Sequence, residues 1–273
     1  MTGVENVPSG SPGIVVEAVV APFRQRPKAR HRSIKVTPSS VATDREDFPI
    51  YIGDHVDHGA GAFEAIAAGL GLPQFARGEL YAMVERADSL IVGYEVRPDG
   101  SERRKLYLEF REGIRDERGG NVLVHEARKW EVARPSSVST ARYFGLRASD
   151  LGSASRLGCV LSAAASPLVD GFGRLLDRLW AGHDDHSFWP VLFVQESEGE
   201  RSSVDVDAVG SGLDVAAAFE LAARAIGIWP TAGDATDAVA AVGNHRLDRI
   251  GFGVDRTGEH FVTFFHRAPL EEG

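Results

Sequence analysis

Apolar and polar residues alternate along many stretches of the chain. The alternation predicts strands at Ile14–Val20, Ser33–Thr37, Leu90–Val96, Lys105–Arg111, Val122–Lys129, Val191–Gln195, Ser203–Ala208, Arg249–Val254 and Phe261–Phe265. Leu, Ala, Val and Phe recur at three- and four-residue spacing elsewhere and predict helices at Ala62–Ala68, Gly78–Ala87, Arg156–Ala165, Pro167–Trp180, Val215–Ala225 and Ala235–Val242. Pro98-Asp99-Gly100, Glu198-Gly199 and Thr257-Gly258 are turn chemistry between alternating runs, so the strands come as hairpins with helices between them.

The pattern repeats. GYEVRPDGSERRKLYLEF, Gly93 to Phe110, is echoed by GFGVDRTGEHFVTFFHRA, Gly251 to Ala268. Upstream, Phe63-Glu64 followed by Leu70-Gly71-Leu72 is echoed at the same spacing by Phe219-Glu220 followed by Ile226-Gly227-Ile228. A module of helices and a β-hairpin, used at least twice, gives an α+β fold in which sequential hairpins form an antiparallel sheet and helices cover one face. Residues 1–13, rich in Gly, Ser and Pro, are expected as a flexible tail before a single repeat-built domain over residues 14–273.

Period-two alternation assigns the faces. In Lys105–Arg111, Leu106, Leu108 and Phe110 lie on one face, and Lys105, Tyr107, Glu109 and Arg111 on the other. In Ser203–Ala208, Val204, Val206 and Ala208 oppose Ser203, Asp205 and Asp207. Helices take the apolar face. The polar face is then an open solvated sheet or the lining of a closed barrel with a water-filled lumen.

A hydrophobic content of 43% over 273 residues supports a substantial core, while a formal charge of −9 gives no general attraction to nucleic acid or anionic membrane. No apolar run has the length of a membrane helix, and the N-terminus lacks the order of a signal peptide, so a cytoplasmic protein is expected. The single Cys159, in GCVLSAAA, reads as a core thiol. IGDHVDHGAG, Ile52 to Gly61, begins like a phosphate loop but lacks the Gly-Lys-Ser/Thr ending that cradles phosphate. His55 with His58, and His183 with His186, have the spacing of metal pairs; without a third ligand they read as solvated turns, and no metal site is assigned.

The charged hairpin carries the candidate chemistry. Arg103, Arg104, Lys105 and Arg111, with Lys35 on an earlier strand, are either scattered solvated charges or an anion site. The face holding Lys105, Tyr107, Glu109 and Arg111, joined by Glu95 and Arg97 from neighbouring strands, suits a polyanion: Lys and Arg neutralise phosphate, and Tyr donates a hydrogen bond.

Repeated helix and hairpin modules closing into an antiparallel β-barrel surrounded by helices resemble the ABBA-type aromatic prenyltransferases, the PT barrel family. KLYLEF, Lys105 to Phe110, is similar to that family's Lys-x-Tyr strands. The resemblance implies transfer of a prenyl group from a prenyl diphosphate to a small aromatic or indole-type acceptor, as in secondary metabolism. It implies Lys35, Arg97, Lys105 and Arg111 around the diphosphate, Tyr107 bonding it or shielding the allylic cation, Glu109 or Asp205 taking the acceptor proton, and Phe193, Phe261 and Phe265 along the prenyl chain. It implies no cofactor, with protein cations in place of magnesium. The later hairpin departs from the pattern, carrying Thr263 and Phe265 where the first has Lys105 and Tyr107. That departure keeps two alternatives open: a duplicated α+β cyclase or isomerase, and a noncatalytic small-molecule-binding protein.

Overall fold

The computed structural model describes residues 12–23, 31–52, 59–115, 122–146, 189–197, 202–226, 234–255 and 258–267, together with Leu175 and Leu179. The helices are α1 (Pro12–Val20), α2 (Gly59–Gly69), α3 (Gln74–Val84), α4 (Val215–Ile226) and α5 (Asp234–Val242). The strands are β1 (His31–Val36), β2 (Val41–Ala42), β3 (Arg45–Tyr51), β4 (Ser89–Val96), β5 (Glu102–Arg115), β6 (Val122–Glu131), β7 (Arg134–Leu146), β8 (Val191–Glu196), β9 (Ser202–Asp207), β10 (Leu247–Val254) and β11 (His260–Arg267).

The sheet is antiparallel throughout and runs β11-β10-β9-β8-β7-β6-β5-β4-β3-β1, and β11 pairs back onto β1 from His31↔Arg267 to Val36↔Val262. Ten strands therefore close into a barrel, with β2 a short flap on β1. Closure leaves none of the ten as an unpaired edge.

Alternation sends the apolar residues outward. Leu90, Val92, Leu106, Leu108 and Phe110 are buried against α1, α2 and α3 in one cluster, and Val204, Val206, Ile250, Phe252, Val262 and Phe264 against α4, α5 and Leu175 and Leu179 in a second. Each such side chain contributes roughly 1.5–3 kcal/mol on leaving water. Arg104 also points outward, donating to the Leu70 carbonyl at the end of α2 at 3.0 Å and to Glu102 at 2.7 Å. Arg128 likewise ties the barrel to α3 through Glu79 at 2.7 Å.

Several sequence expectations are corrected. Ile14–Val20, expected as a strand, is the helix α1; Pro12, expected in the tail, opens that helix, where a missing N–H costs nothing. β3 and β7 were not expected as strands: β3 holds Pro49 and alternating charges, and β7 begins RPSS. The expected helices Arg156–Ala165 and Pro167–Trp180 lie outside the described residues apart from Leu175 and Leu179, as does Cys159.

Candidate functional site

Because directly opposed residues of paired strands share a face, the register lays out the lumen as successive rows. Arg45, Glu95, Arg103 and Glu131 form the first, on β3 to β6. Asp47, Gly93, Lys105, Lys129 and Ser139 form the second, on β3 to β7. The third places Ile91, Tyr107, Ala127, Ala141 and Glu196 side by side, and the fourth Ser89, Glu109, His125, Tyr143, Val194 and Ser203. The chemistry is thus graded along the axis, from guanidinium and ammonium groups through phenols to a carboxylate and an imidazole.

The first two rows form a buried ionic layer. Lys105 Nζ lies 3.1 Å from Glu95 Oε2, Arg45 Nε lies 3.5 Å from the same oxygen, and Lys129 Nζ donates to Glu196 Oε1 at 2.6 Å. Lys105 and Lys129 are 5% and 3% exposed, so these charges are withheld from bulk water. Burial pushes the Lys105 ammonium below its ordinary range, opposed by Glu95. Burial pushes Glu95 upward, yet Arg45 and Lys105 outweigh it and hold the carboxyl well below the ordinary range. Nε and Nη1 of Arg45 are buried without a hydrogen-bond acceptor, as is Nε of Arg103. Buried donors of this kind are normally satisfied, so they mark where an acceptor would be held.

Two chambers lie on either side of this layer and share no lining residue. One, of about 310 Å³, is polar: Lys35, Arg97, Arg103, Glu95, Glu196 and Asp255 line it. The other, of about 290 Å³, combines Pro49, Ile91, Leu192, Tyr51, Tyr107, Tyr143 and Phe265 with Glu109, His125, Asp205 and Arg249. Tyr107 and Tyr143 are in ring contact at 5.8 Å, and His125 packs on Tyr143 at 5.5 Å. Ser89 donates to one oxygen of Glu109, and His125 Nε2 stands 3.5 Å from the other. Burial raises the Glu109 carboxyl, but the hydrogen bonds from His125 and Ser89 and the charge of Arg249 hold it at about 2. Tyr107 is pushed well above its ordinary range by burial and stays a neutral phenol. Gly93 and Gly251 leave space that Asp47 and Asp205 fill, since a Cβ at either glycine would collide with the carboxylate.

Each sequence candidate has a definite place. Lys105 lies in the ionic layer; Tyr107, Glu109, Asp205 and Phe265 line the aromatic chamber; Lys35 and Arg97 line the polar chamber. Lys35 stands 3.8 Å from Asp255 and over the Phe261 ring, and Arg97 donates to Glu131 at 2.6 Å. Two candidates fall elsewhere. Arg111 is exposed and lines neither chamber, because a register shift in the β5–β6 ladder between Glu109 and Ile114 ends the alternation that would have turned it inward. Phe193 packs against the outer core beneath α4 and α5, the face opposite to Leu192 and Val194. The His55/His58 and His183/His186 pairs lie outside the described residues. Arg45, His125, Lys129, Tyr143 and Glu196 were not singled out from sequence. His125 and Lys129 were nevertheless readable as alternate positions of an expected strand.

A ten-stranded antiparallel barrel with a polar lumen and helices outside is also what the structural comparison returns. The chain superposes on 5-dimethylallyltryptophan synthase from Streptomyces coelicolor with a TM-score of 0.61 at 13% identity, covering 87% of this chain and 80% of that one. This is the barrel fold of the ABBA-type aromatic prenyltransferases. The same prenyltransferase barrel is found in 6-dimethylallyltryptophan synthase from Micromonospora olivasterospora, solved with DMASPP and Trp (TM-score 0.62, 12% identity, 88% and 82% covered). It is found again in AnaPT from Neosartorya fischeri (TM-score 0.56, 12% identity, 89% and 79% covered). No protein-family model and no curated protein matches the sequence. The prenyltransferase barrel accounts for the closure and for helices on the outside only; among the described residues no helix is long and apolar enough to cross a membrane.

Proposed function

We propose that the protein transfers a prenyl group from a prenyl diphosphate to a small aromatic or indole-type acceptor. The observation that carries this reading is the stacking of the buried Arg45, Lys105 and Lys129 layer directly against the Tyr107–Tyr143 pair inside a closed barrel. The DMASPP and Trp in the Micromonospora neighbour support the class of both substrates.

Ionisation breaks the C1–O bond, and the electron pair leaves with the diphosphate. Fixed cations at Lys105 and Lys129 and the free donors of Arg45 favour that departing charge, in a site with little water to compete. Protein cations here do the work that magnesium does elsewhere. The rings of Tyr107 and Tyr143 shield the allylic cation from water, and Tyr107, kept a neutral phenol by burial, does not capture it as a phenolate. The acceptor occupies the aromatic chamber, its ring against Phe265 and Ile91. A carboxylate held near pKa 2 is a weak base, so Glu109 orients His125 or the acceptor N–H and leaves proton removal to a group such as Asp205.

The reading is tested by incubating wild type and Lys105→Ala with dimethylallyl or geranyl diphosphate and tryptophan, tyrosine or naphthalenediol acceptors, with EDTA present, and detecting the prenylated product by mass spectrometry. Product from wild type, with at least a hundredfold lower rate in Lys105→Ala, is expected. Absence of both product and diphosphate binding overturns the reading.

A further inference from the structure

Arg45, Lys105 and Lys129 each already have a carboxylate beside them, so the layer has no large cation excess to offer a polyanion. Glu95 is the centre of this balance. Its Oε2 faces Lys105 Nζ at 3.1 Å and Arg45 Nε at 3.5 Å, two cations on different strands, and it is 9% exposed. Lys35 on β1 and Arg103 on β5 also face it, Asp47 acts on Lys105 from β3, and Glu196 and Asp255 share its chamber. Arg45 meets Glu95 only through a long contact and keeps Nε and Nη1 without an acceptor. The cations are therefore held in place by Glu95 but not saturated by it.

Building on the prenyl diphosphate reading, we propose that Glu95 is a stand-in anion: it pre-positions Arg45 and Lys105 in the empty barrel, yields them to the incoming diphosphate, and takes up a proton as it does so. The physical reason is charge. Glu95 is largely buried on β4 and reaches solvent only through the polar chamber, and once phosphate oxygens occupy the same two cations, an ionised Glu95 would lie against a polyanion in a low-dielectric space. Only its cations oppose the burial that favours its neutral form. As a neutral acid it becomes a donor to a phosphate oxygen, and the proton comes from the buffer. Glu95 thus sets the affinity and its pH dependence without touching the bonds that break, which makes it a positioning residue.

The test is isothermal titration of the full chain with geranyl diphosphate at pH 8, where the free ligand is fully deprotonated, in buffers of differing ionisation enthalpy. Wild type should take up about one proton per diphosphate, read from the slope of observed against buffer enthalpy. Glu95→Gln should abolish the slope, bind about tenfold more tightly and lose the decline of affinity with rising pH. The wild-type slope needs no variant, so a poorly folding Glu95→Gln does not void the test. Binding with zero wild-type slope overturns the stand-in role and leaves the diphosphate site intact. An unchanged slope in Glu95→Gln assigns the proton to another group and also overturns it. No binding to wild type or variant sinks the diphosphate reading and this inference together.

Discussion

Glu109 and His266 are held away from their ordinary protonation equilibria in opposite chemical senses that act in the same direction on acidification. His266 is buried beside His245, with the two Nδ1 atoms 3.0 Å apart, and burial followed by His245 and Arg32 lowers it to about 4. A histidine depressed below its unfolded value of 6.5 is protonated first in the unfolded chain, so its contribution is lost as pH falls from about 6.5 toward 4. Glu109, depressed to about 2, contributes stability above its unfolded value near 4.5 and loses it between there and about 2. Urea unfolding should therefore show a midpoint that falls in two stages, and Glu109→Gln should flatten only the lower one, by on the order of 3 kcal/mol. A variant retaining the full loss below pH 4.5 would show that Glu109 is not its source. At this scale the sequence was readable where strict alternation held: Lys105, Tyr107 and Glu109 turned inward as expected. It was not readable at Arg111, where one shift in the ladder overrides the period. Arg45 and Glu196 are remote in sequence from Glu95 and Lys129, and reach them only through strand order and register.

Among the elements, β10 shows how the fold divides its labour. Its outward residues Ile250 and Phe252 are fully buried under α4 and α5, whereas Gly251 and Gly253 face the lumen, where Gly251 makes room for the Asp205 carboxylate. Phe252→Ala should cost about 3–5 kcal/mol by leaving a cavity in the outer core, with diphosphate affinity unchanged in whatever fraction stays folded. Gly251→Val should behave in the reverse way, blocking the chamber beside Asp205 while the outer core stays intact; thermal melts and ligand titration on the two variants separate these effects. Helices were legible because apolar spacing near 3.6 residues signals one-sided burial, as in α4. The segment Ile14–Val20 misled because its run of Val and Ile is equally good for a buried strand, and its position outside the barrel, not its composition, makes it a helix. β3 escaped notice because a lumen-facing strand of a charged barrel alternates Arg45, Asp47 and Pro49 with only two strong apolar residues, Phe48 and Ile50.

Across the whole molecule, the order helix, helix, strand, strand occurs as α2-α3-β4-β5 and again as α4-α5-β10-β11, yet the two strand pairs line different chemistry: Arg103, Lys105 and Tyr107 in one, Gly251, Thr263 and Phe265 in the other. The outer faces of the two pairs need the same apolar signals, so the echo is visible there, while the inner faces, free of that packing constraint, diverge. The pairing of β11 with β1 joins positions as far apart as His31 and Arg267. On the ribosome this has a temporal meaning. Until the final hairpin has been made, both β1 and β10 expose a full row of backbone donors and acceptors, and the nascent chain carries two sticky margins at once. A chain stopped after residue 258 should accordingly accumulate in the insoluble fraction, and adding a separate peptide spanning residues 259–267 during translation should return part of it to solution. Nine strands would then be waiting for the tenth.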